Sequence, residues 1–325
     1  MKRLLEVSDL RVMFHTYRGT IKALNGVRLW LNEEERLGIV GETGCGKSVS
    51  ALSVMRLIDH PGEITDGEVI FEGLDLLKMS EEEMDKSVRG KKISMIFQEP
   101  ISALNPVFKV GFQIAEAIAH SNDISMDEGY KLVPESLEMV GLDWKRSIEL
   151  YPHELSGGMA QRVMIAMALA VKPKLLIADE PTSALDVTIQ AQILQLLDEL
   201  VRMGKNAVIL ITHDLGIASE FCDRITVMYA GNVIEISDSQ EIFQSPLHPY
   251  SKGLISSIPI IGASKVLSGI PGSVPDLVSP PPGCRFHPRC EFCYDRCREK
   301  LPDLKEVKPG HFVACHLYSD DSKEG

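Results

Sequence analysis

The chain has 325 residues, 44% hydrophobic and 25% charged, which is the balance of a folded globular protein and excludes disorder throughout. With 34 Lys and Arg against 46 Asp and Glu, the formal charge of −12 disfavours unaided binding to nucleic acid or an anionic lipid surface, so any polyanion must be gripped locally. The longest apolar run, Val163 to Val171, falls well short of the roughly 18 residues that span a bilayer, and Glu6 and Asp9 interrupt the N-terminus before an export signal forms, so a non-spanning cytoplasmic chain is expected.

In chain order, Leu4 to Val7 and Ala23 to Leu31 read as strands of a first β-rich layer, the second with Val27, Leu29 and Leu31 alternating against polar neighbours. Arg36 to Gly41 is a short apolar strand running into glycines, and Ser48 to Ile58 carries Leu52, Met55 and Leu57 with no breaker, which makes strand, loop, helix. Further buried strands are expected at Lys92 to Phe97, Leu175 to Ala178, Ala207 to Thr212, Arg224 to Tyr229 and Asn232 to Ile236. Between Pro100 and Pro173 the apolar spacing turns helical, with Ile114, Ala117 and Ile118, then Leu137, Val140 and Leu142, then Val163, Ala166, Met167 and Ala170. A short helix is expected near Ser239 to Phe243, and Pro280-Pro281-Pro282-Gly283 reads as a stiff linker to a cysteine cluster.

Gly41-Glu42-Thr43-Gly44-Cys45-Gly46-Lys47-Ser48, with Val49 behind it, satisfies the P-loop pattern in its strand-to-helix context. Glycines let successive N–H groups face a phosphate, the helix N-terminus adds positive potential, Lys47 reaches the β- and γ-phosphates and Ser48 ligates Mg²⁺. Cys45 reads as a small residue compatible with the turn rather than a reactive thiol. Leu175-Leu-Ile-Ala-Asp179-Glu180 is an apolar strand ending in two acids: Asp179 suits the metal side of a nucleotide site, and Glu180 the activation of an attacking water. Alone, such a pair would be a helix cap or a solvated edge; beside a P-loop the catalytic reading prevails.

Leu155-Ser156-Gly157-Gly158-Met159, followed by Gln161-Arg162, resembles the signature of ATP-binding cassette (ABC) ATPases, with Met159 in place of the common glutamine. The family's motif order is met as well: Gln98 resembles the Q-loop glutamine, Ser183-Ala-Leu-Asp186 the D-loop and His213 the switch histidine. The resemblance implies an α/β P-loop ATPase core of ABC type over 1–99 and 173–240 with an antiparallel β layer, a helical signature subdomain over 100–172, and a C-terminal extension over 241–325. It implies catalytic roles for Lys47, Gln98, Glu180 and His213, Mg²⁺ at Ser48, Gln98 and Asp179, and an aromatic on adenine, for which Phe14 and Tyr17 both stand open. It further implies that Ser156, Gly157, Gly158 and Asp186 act on ATP held by a second cassette.

Pro246-Leu-His-Pro-Tyr250, Ile270-Pro-Gly-Ser-Val-Pro275, Gly283-Cys-Arg-Phe-His-Pro-Arg-Cys290 and Ala314-Cys315-His316 resemble the tail of ATPases serving dipeptide and oligopeptide importers. That resemblance implies a peripheral subunit on the cytoplasmic face of the membrane, paired with a sister ATPase or itself beneath two permease subunits fed by an extracytoplasmic peptide-binding protein. Nickel or oligosaccharide import, and a soluble cassette protein outside transport, are the alternatives; the single cassette, the absence of a heptad insertion and the charge weigh against the last.

Five cysteines crowd the tail, and in a reducing cytosol they read as metal ligands before disulfides. The family's tail has cysteines at 284, 290, 297 and 315, which implies a [4Fe–4S] cluster on Cys284, Cys290, Cys297 and Cys315, with Cys293 spare and the extension stapled by the metal. Zn²⁺ on Cys284, Cys290, Cys293 and Cys297, with His287 or His316 in reserve, is the competing assignment, because Cys290 and Cys293 form a close pair. Reduced, buried thiols without metal are the bland alternative.

Overall fold

A computed structural model of the chain describes residues 2–183, 185–258 and 269–319. The chain divides into two compact units, one of residues 1–2, 32–35 and 78–211, the other of 3–31, 36–77 and 212–325.

The second unit carries the expected β layer. Strands Gly19–Asn32, Arg3–Thr16, Gly62–Phe71 and Leu74–Asp75 lie in that order, with Arg3–Thr16 antiparallel to Gly62–Phe71. Leu5, Val7, Leu10 and Val12 are buried on the first strand, and Val27, Leu29 and Leu31 on the second, so the two-residue period read from the sequence is a real face. Gly62–Phe71 has three charged residues among its ten and is not expected as a strand from the sequence; pairing with Arg3–Thr16 outweighs its weak local pattern. In the same unit, Arg36–Val40 runs parallel to Arg224–Tyr229, which pairs antiparallel with Asn232–Asp238. His311–Val313 and Lys305–Lys308 then add two short strands from the C-terminal extension, Glu235 lying opposite Val313. Helices Lys47–Met55, Leu215–Phe221, Ser239–Gln244, Pro249–Ser256 and Asp295–Glu299 belong to the same unit, the third close to its expected bounds.

The first unit has three parallel strands, Ile93–Ile96, Leu175–Asp179 and Ala207–Thr212, buried along nearly their whole length as continuous apolar runs predict. The stretch 100–172 is helical, with Pro100–Ala103, Val110–Asn122, Met126–Met139, Trp144–Ser147 and Gly157–Ala170. Ile114, Ile118, Val133, Leu137 and Val163 form its buried core. The 18-residue helix Val187–Gly204, which sequence reading passed over, starts where the Asp186 carboxylate accepts from the N–H groups of Thr188 and Ile189. No helix among the described residues is long and apolar enough to cross a membrane.

Candidate functional site

The glycine-rich loop leaves the buried strand Arg36–Val40 and enters helix Lys47–Met55. Gly41 has φ 154°, and a Cβ there would stand 2.2 Å from the Met228 carbonyl oxygen. Gly46, at φ 102°, leaves no room either, with Leu24 Cδ2 at 2.7 Å. Only glycine gives this backbone path. Gly46 is also the helix N-cap and offers no side chain to the first N–H groups, while Thr43 and Gly44 are exposed and Val49 sits in the first turn. These are the features of an anion cradle. The Lys47 ammonium, nearly buried, donates to the carbonyls of Gly41 and Glu42 at 2.8 and 3.2 Å, and Ser48 opens the same turn. Cys45 is fully buried and burial pushes its thiol up to about 11, which bears out its reading as a turn residue rather than a nucleophile.

In the other unit, Asp179 ends its strand nearly buried, and Glu180 follows in a left-handed conformation, φ 44°, with its N–H donating to the Ile211 carbonyl at 2.9 Å. Gln98, two residues past Ile93–Ile96, donates from Nε2 to Glu180 Oε2 at 3.4 Å. Two of the expected catalytic residues therefore meet. The signature Ser156 caps helix Gly157–Ala170, its hydroxyl accepting from Met159 N–H at 3.4 Å, and Ser156 and Gly157 are exposed. Met159 packs against the helical core, where a thioether is at home in place of the family's glutamine. Asp186 serves as the helix cap noted above, and Ala184 of the D-loop-like run lies outside the described residues. His213 is exposed between Ala207–Thr212 and the helix capped by Asp214.

The two aromatic candidates differ. Phe14 lies against Gly62 and is half-buried, whereas Tyr17 is 91% exposed with the Arg18 guanidinium 5.4 Å from its ring centre.

Burial pushes Cys284 up to about 12, and the charges of Cys315, Cys297 and Cys290 raise it further. Burial likewise pushes Cys315 up to about 11, with Cys290 and Cys297 adding. Cys293 is among the charges that raise Cys290, and its thiol lies 3.7 Å from the Tyr294 carbonyl. Thiols suit iron, but among the described residues no three His, Cys, Asp or Glu side chains are grouped to hold a metal. Strand pairing to Asn232–Asp238 and polar anchors hold this extension. The backbone N–H of Cys284 donates to the Cys297 carbonyl at 2.8 Å, closing the cysteine loop.

Sequence reading missed those anchors. Glu235, fully buried, accepts from Leu247 N–H, His248 N–H and His311 Nε2 at 2.7, 2.9 and 2.7 Å. Arg285 donates to the carbonyls of Lys22 and Ala230, and Arg289 reaches Glu42. The one available signal was a string of His, Pro and Arg beside the cysteines, which by itself names no partner.

A family model described as ABC transporter matches residues 24–183, and one described as oligopeptide/dipeptide transporter, C-terminal region, matches 234–297. The oligopeptide transport ATP-binding protein OppD of Bacillus subtilis is 48% identical over 98% of this chain and 90% of its own. AppD of the same organism, also an oligopeptide transport ATP-binding protein, is 46% identical over 100% and 99%, and the dipeptide transport ATP-binding protein DppD of Escherichia coli 44% over 98% and 98%. Among solved structures, the dimeric ATP-binding cassette MJ0796 bound to ADP and Pi superimposes with a TM-score of 0.65 at 30% identity, over 73% of this chain and 99% of that one.

Proposed function

The chain belongs to the ABC transporter family, among the ATP-binding subunits of oligopeptide and dipeptide importers, and on that premise we propose that it hydrolyses ATP to drive peptides inward through separate permease subunits. The observation that carries the reading is similarity of 44% to 48% to peptide-transport ATP-binding proteins along nearly the whole chain, C-terminal region included. The subunit sits at the cytoplasmic face of the membrane, closes on a sister ATPase or a second copy, and meets its permeases through the stretch from Gln98 into the helical subdomain of residues 100–172.

In this mechanism the loop N–H groups and Lys47 bind the β- and γ-phosphates. Ser48, Asp179 and Gln98 would hold Mg²⁺, which would supply positive charge to the phosphate oxygens. Glu180 accepts the proton of the attacking water, and the hydrogen bond from Gln98 orients its carboxylate. His213 contacts the γ-phosphate, Tyr17 stacks on adenine, and Ser156, Gly157 and Gly158 present a helix N-terminus to ATP on the partner cassette, with Asp186 beside them. Support for Tyr17 over Phe14 is its exposure, where Phe14 is half-buried against Gly62.

The test uses proteoliposomes of the full transporter loaded with labelled di- and tripeptides. Glu180→Gln is expected to retain ATP binding while hydrolysis and uptake fall about 10²- to 10⁴-fold, whereas Lys47→Ala loses binding first. Wild-type turnover in Glu180→Gln would remove the general base, and uptake of nickel or oligosaccharide instead of peptide would reassign the cargo.

We propose further that Cys284, Cys290, Cys297 and Cys315 hold a [4Fe–4S] cluster. What supports this ligand choice is the influence of Cys315, Cys297 and Cys290 on the Cys284 thiol, and the cluster would supply cross-linking of a small lobe rather than catalysis.

A further inference from the structure

Two side chains of the C-terminal extension end on the phosphate loop. Arg289, immediately before Cys290, has a side chain only 6% exposed, and its Nη1 and Nη2 donate to the two carboxylate oxygens of Glu42 at 2.9 and 3.2 Å. Its Nε donates to the Pro271 carbonyl at 2.9 Å and Nη2 also to the Ile270 carbonyl at 3.1 Å, so the fork is fixed in direction. Tyr250, wholly buried on helix Pro249–Ser256, accepts the Glu42 backbone N–H on its hydroxyl at 2.9 Å. Its ring packs on Tyr229, centroids 4.7 Å apart, and the Arg289 guanidinium lies 5.8 Å from the Tyr229 ring centre. Glu42 is therefore gripped at its backbone by one residue and at its carboxylate by the other.

Glu42 is also where the loop is tied to itself. Its carbonyl accepts from Lys47 Nζ at 3.2 Å and from Cys45 N–H at 3.3 Å. Any shift of Glu42 moves the acceptor that the phosphate-binding lysine rests on. A bidentate guanidinium–carboxylate pair is both directional and among the stronger side-chain hydrogen bonds, and a loop held in its binding geometry beforehand loses less entropy when the ligand arrives.

We propose that Arg289 and Tyr250 are positioning residues for the phosphate loop, through which the C-terminal extension sets this protein's affinity for ATP. The proposal rests on the reading of residues 41–48 as the nucleotide site. Because coupling is reciprocal, bound nucleotide in turn steadies the extension.

The experiment measures ATP dissociation constants on the full chain with a fluorescent ATP analogue, and kcat and KM in the assembled transporter. Arg289→Ala is expected to weaken binding about 5- to 30-fold and to raise KM by a similar factor with kcat little changed, because the Glu180–Gln98 pair is no part of this network. Arg289→Lys, a point charge in place of a fork, recovers part of the loss. Tyr250→Phe, which deletes one acceptor, weakens binding about fivefold. Glu42→Gln probes the same pair from outside the cysteine loop, and the double variant Glu42→Gln/Arg289→Ala should bind no worse than Arg289→Ala alone. Lys47→Ala is measured alongside. Affinities within twofold of wild type for both Arg289→Ala and Glu42→Gln, with Lys47→Ala impaired, would overturn the proposal and leave the nucleotide site standing; so would strictly additive losses in the double variant. Should Arg289→Ala fail to fold, Glu42→Gln and Arg289→Lys decide by the same twofold criterion. Wild-type affinity in Lys47→Ala would instead sink the nucleotide-site reading itself.

Discussion

The phosphate loop and the cysteine loop are both turns led by a glycine, and the chain fixes them by different means. At the phosphate loop the determinants are steric and local: at Gly41 and Gly46 the backbone takes angles only glycine adopts easily, and a Cβ would collide at either. At the cysteine loop, Gly283 does the same against the Cys297 carbonyl, but the rest of the lobe is tied down by polar groups from far along the chain. Arg285 bonds Lys22 and Ala230, and Glu235 joins the segments around 247 and 311. Shape written in local sterics survives changes in its surroundings, whereas shape written in buried polar contacts depends on every partner keeping its protonation and place.

The largest effect should follow from breaking the second kind. Glu235→Ala removes the acceptor from two backbone N–H groups and a buried imidazole, an injury of about 3–5 kcal/mol for a buried, multiply bonded carboxylate. Thermal or urea denaturation reads it directly. Glu235→Ala within about 0.5 kcal/mol of wild type would mean that polar anchoring does not order this lobe.

The same contrast marks what a reader of the sequence gets right. The P-loop, the acid pair after Leu175–Ala178 and the signature Ser156 were legible because each is a short string whose chemistry needs only its own backbone context. The buried strands were legible for a similar reason, as continuous apolar runs. Gly62–Phe71 was not, since its pairing with Arg3–Thr16 crosses some fifty residues and its charges hide the pattern. Nor was the Arg289–Glu42 pair, 247 positions apart, for no local rule joins an arginine in a cysteine loop to a glutamate in a phosphate loop. Strands Lys305–Lys308 and His311–Val313, which pair beside Asn232–Asp238, are too short to read.

A somewhat smaller effect sharpens the comparison through pH. His248 is fully buried, and burial pushes its imidazole down to about 4, against the favourable charge of Glu235. Its folded pKa lies below the unfolded value of about 6.5, so as pH falls the unfolded chain takes up the proton first and stability declines from about pH 6.5 to about 4. The expected loss at pH 5 is about 2 kcal/mol relative to pH 7.5. Burial opposes the charge of Glu235, but its hydrogen bonds, that from His311 foremost, hold its pKa below the usual carboxylate range. Its contribution is therefore present above about 4.5 and lost as pH falls through the lower folded value. His248 accepts the Tyr250 N–H on Nδ1, so His248→Asn keeps a helix cap while deleting the titration. That variant should flatten the stability slope between pH 6.5 and 4.5; an unchanged slope would place the acid lability elsewhere.

The smallest effect is expected at Cys293, and its smallness is informative. This thiol is half-exposed, lies 3.7 Å from the Tyr294 carbonyl, and is not among the neighbours named as raising Cys284. Cys293→Ser should change stability by no more than about 0.5 kcal/mol and leave anaerobically purified protein brown, with iron and sulfide in equal amounts. Cys315→Ser should bleach it, because Cys290 and Cys297 act on the Cys315 thiol and Cys315 follows the strand that seats the lobe on Asn232–Asp238. The two substitutions are chemically alike, so a difference between them isolates ligation from the general effect of losing a thiol. Colour lost in Cys293→Ser and kept in Cys315→Ser would instead assign the metal to Cys284, Cys290, Cys293 and Cys297, and one zinc per chain in colourless protein would make that assignment complete.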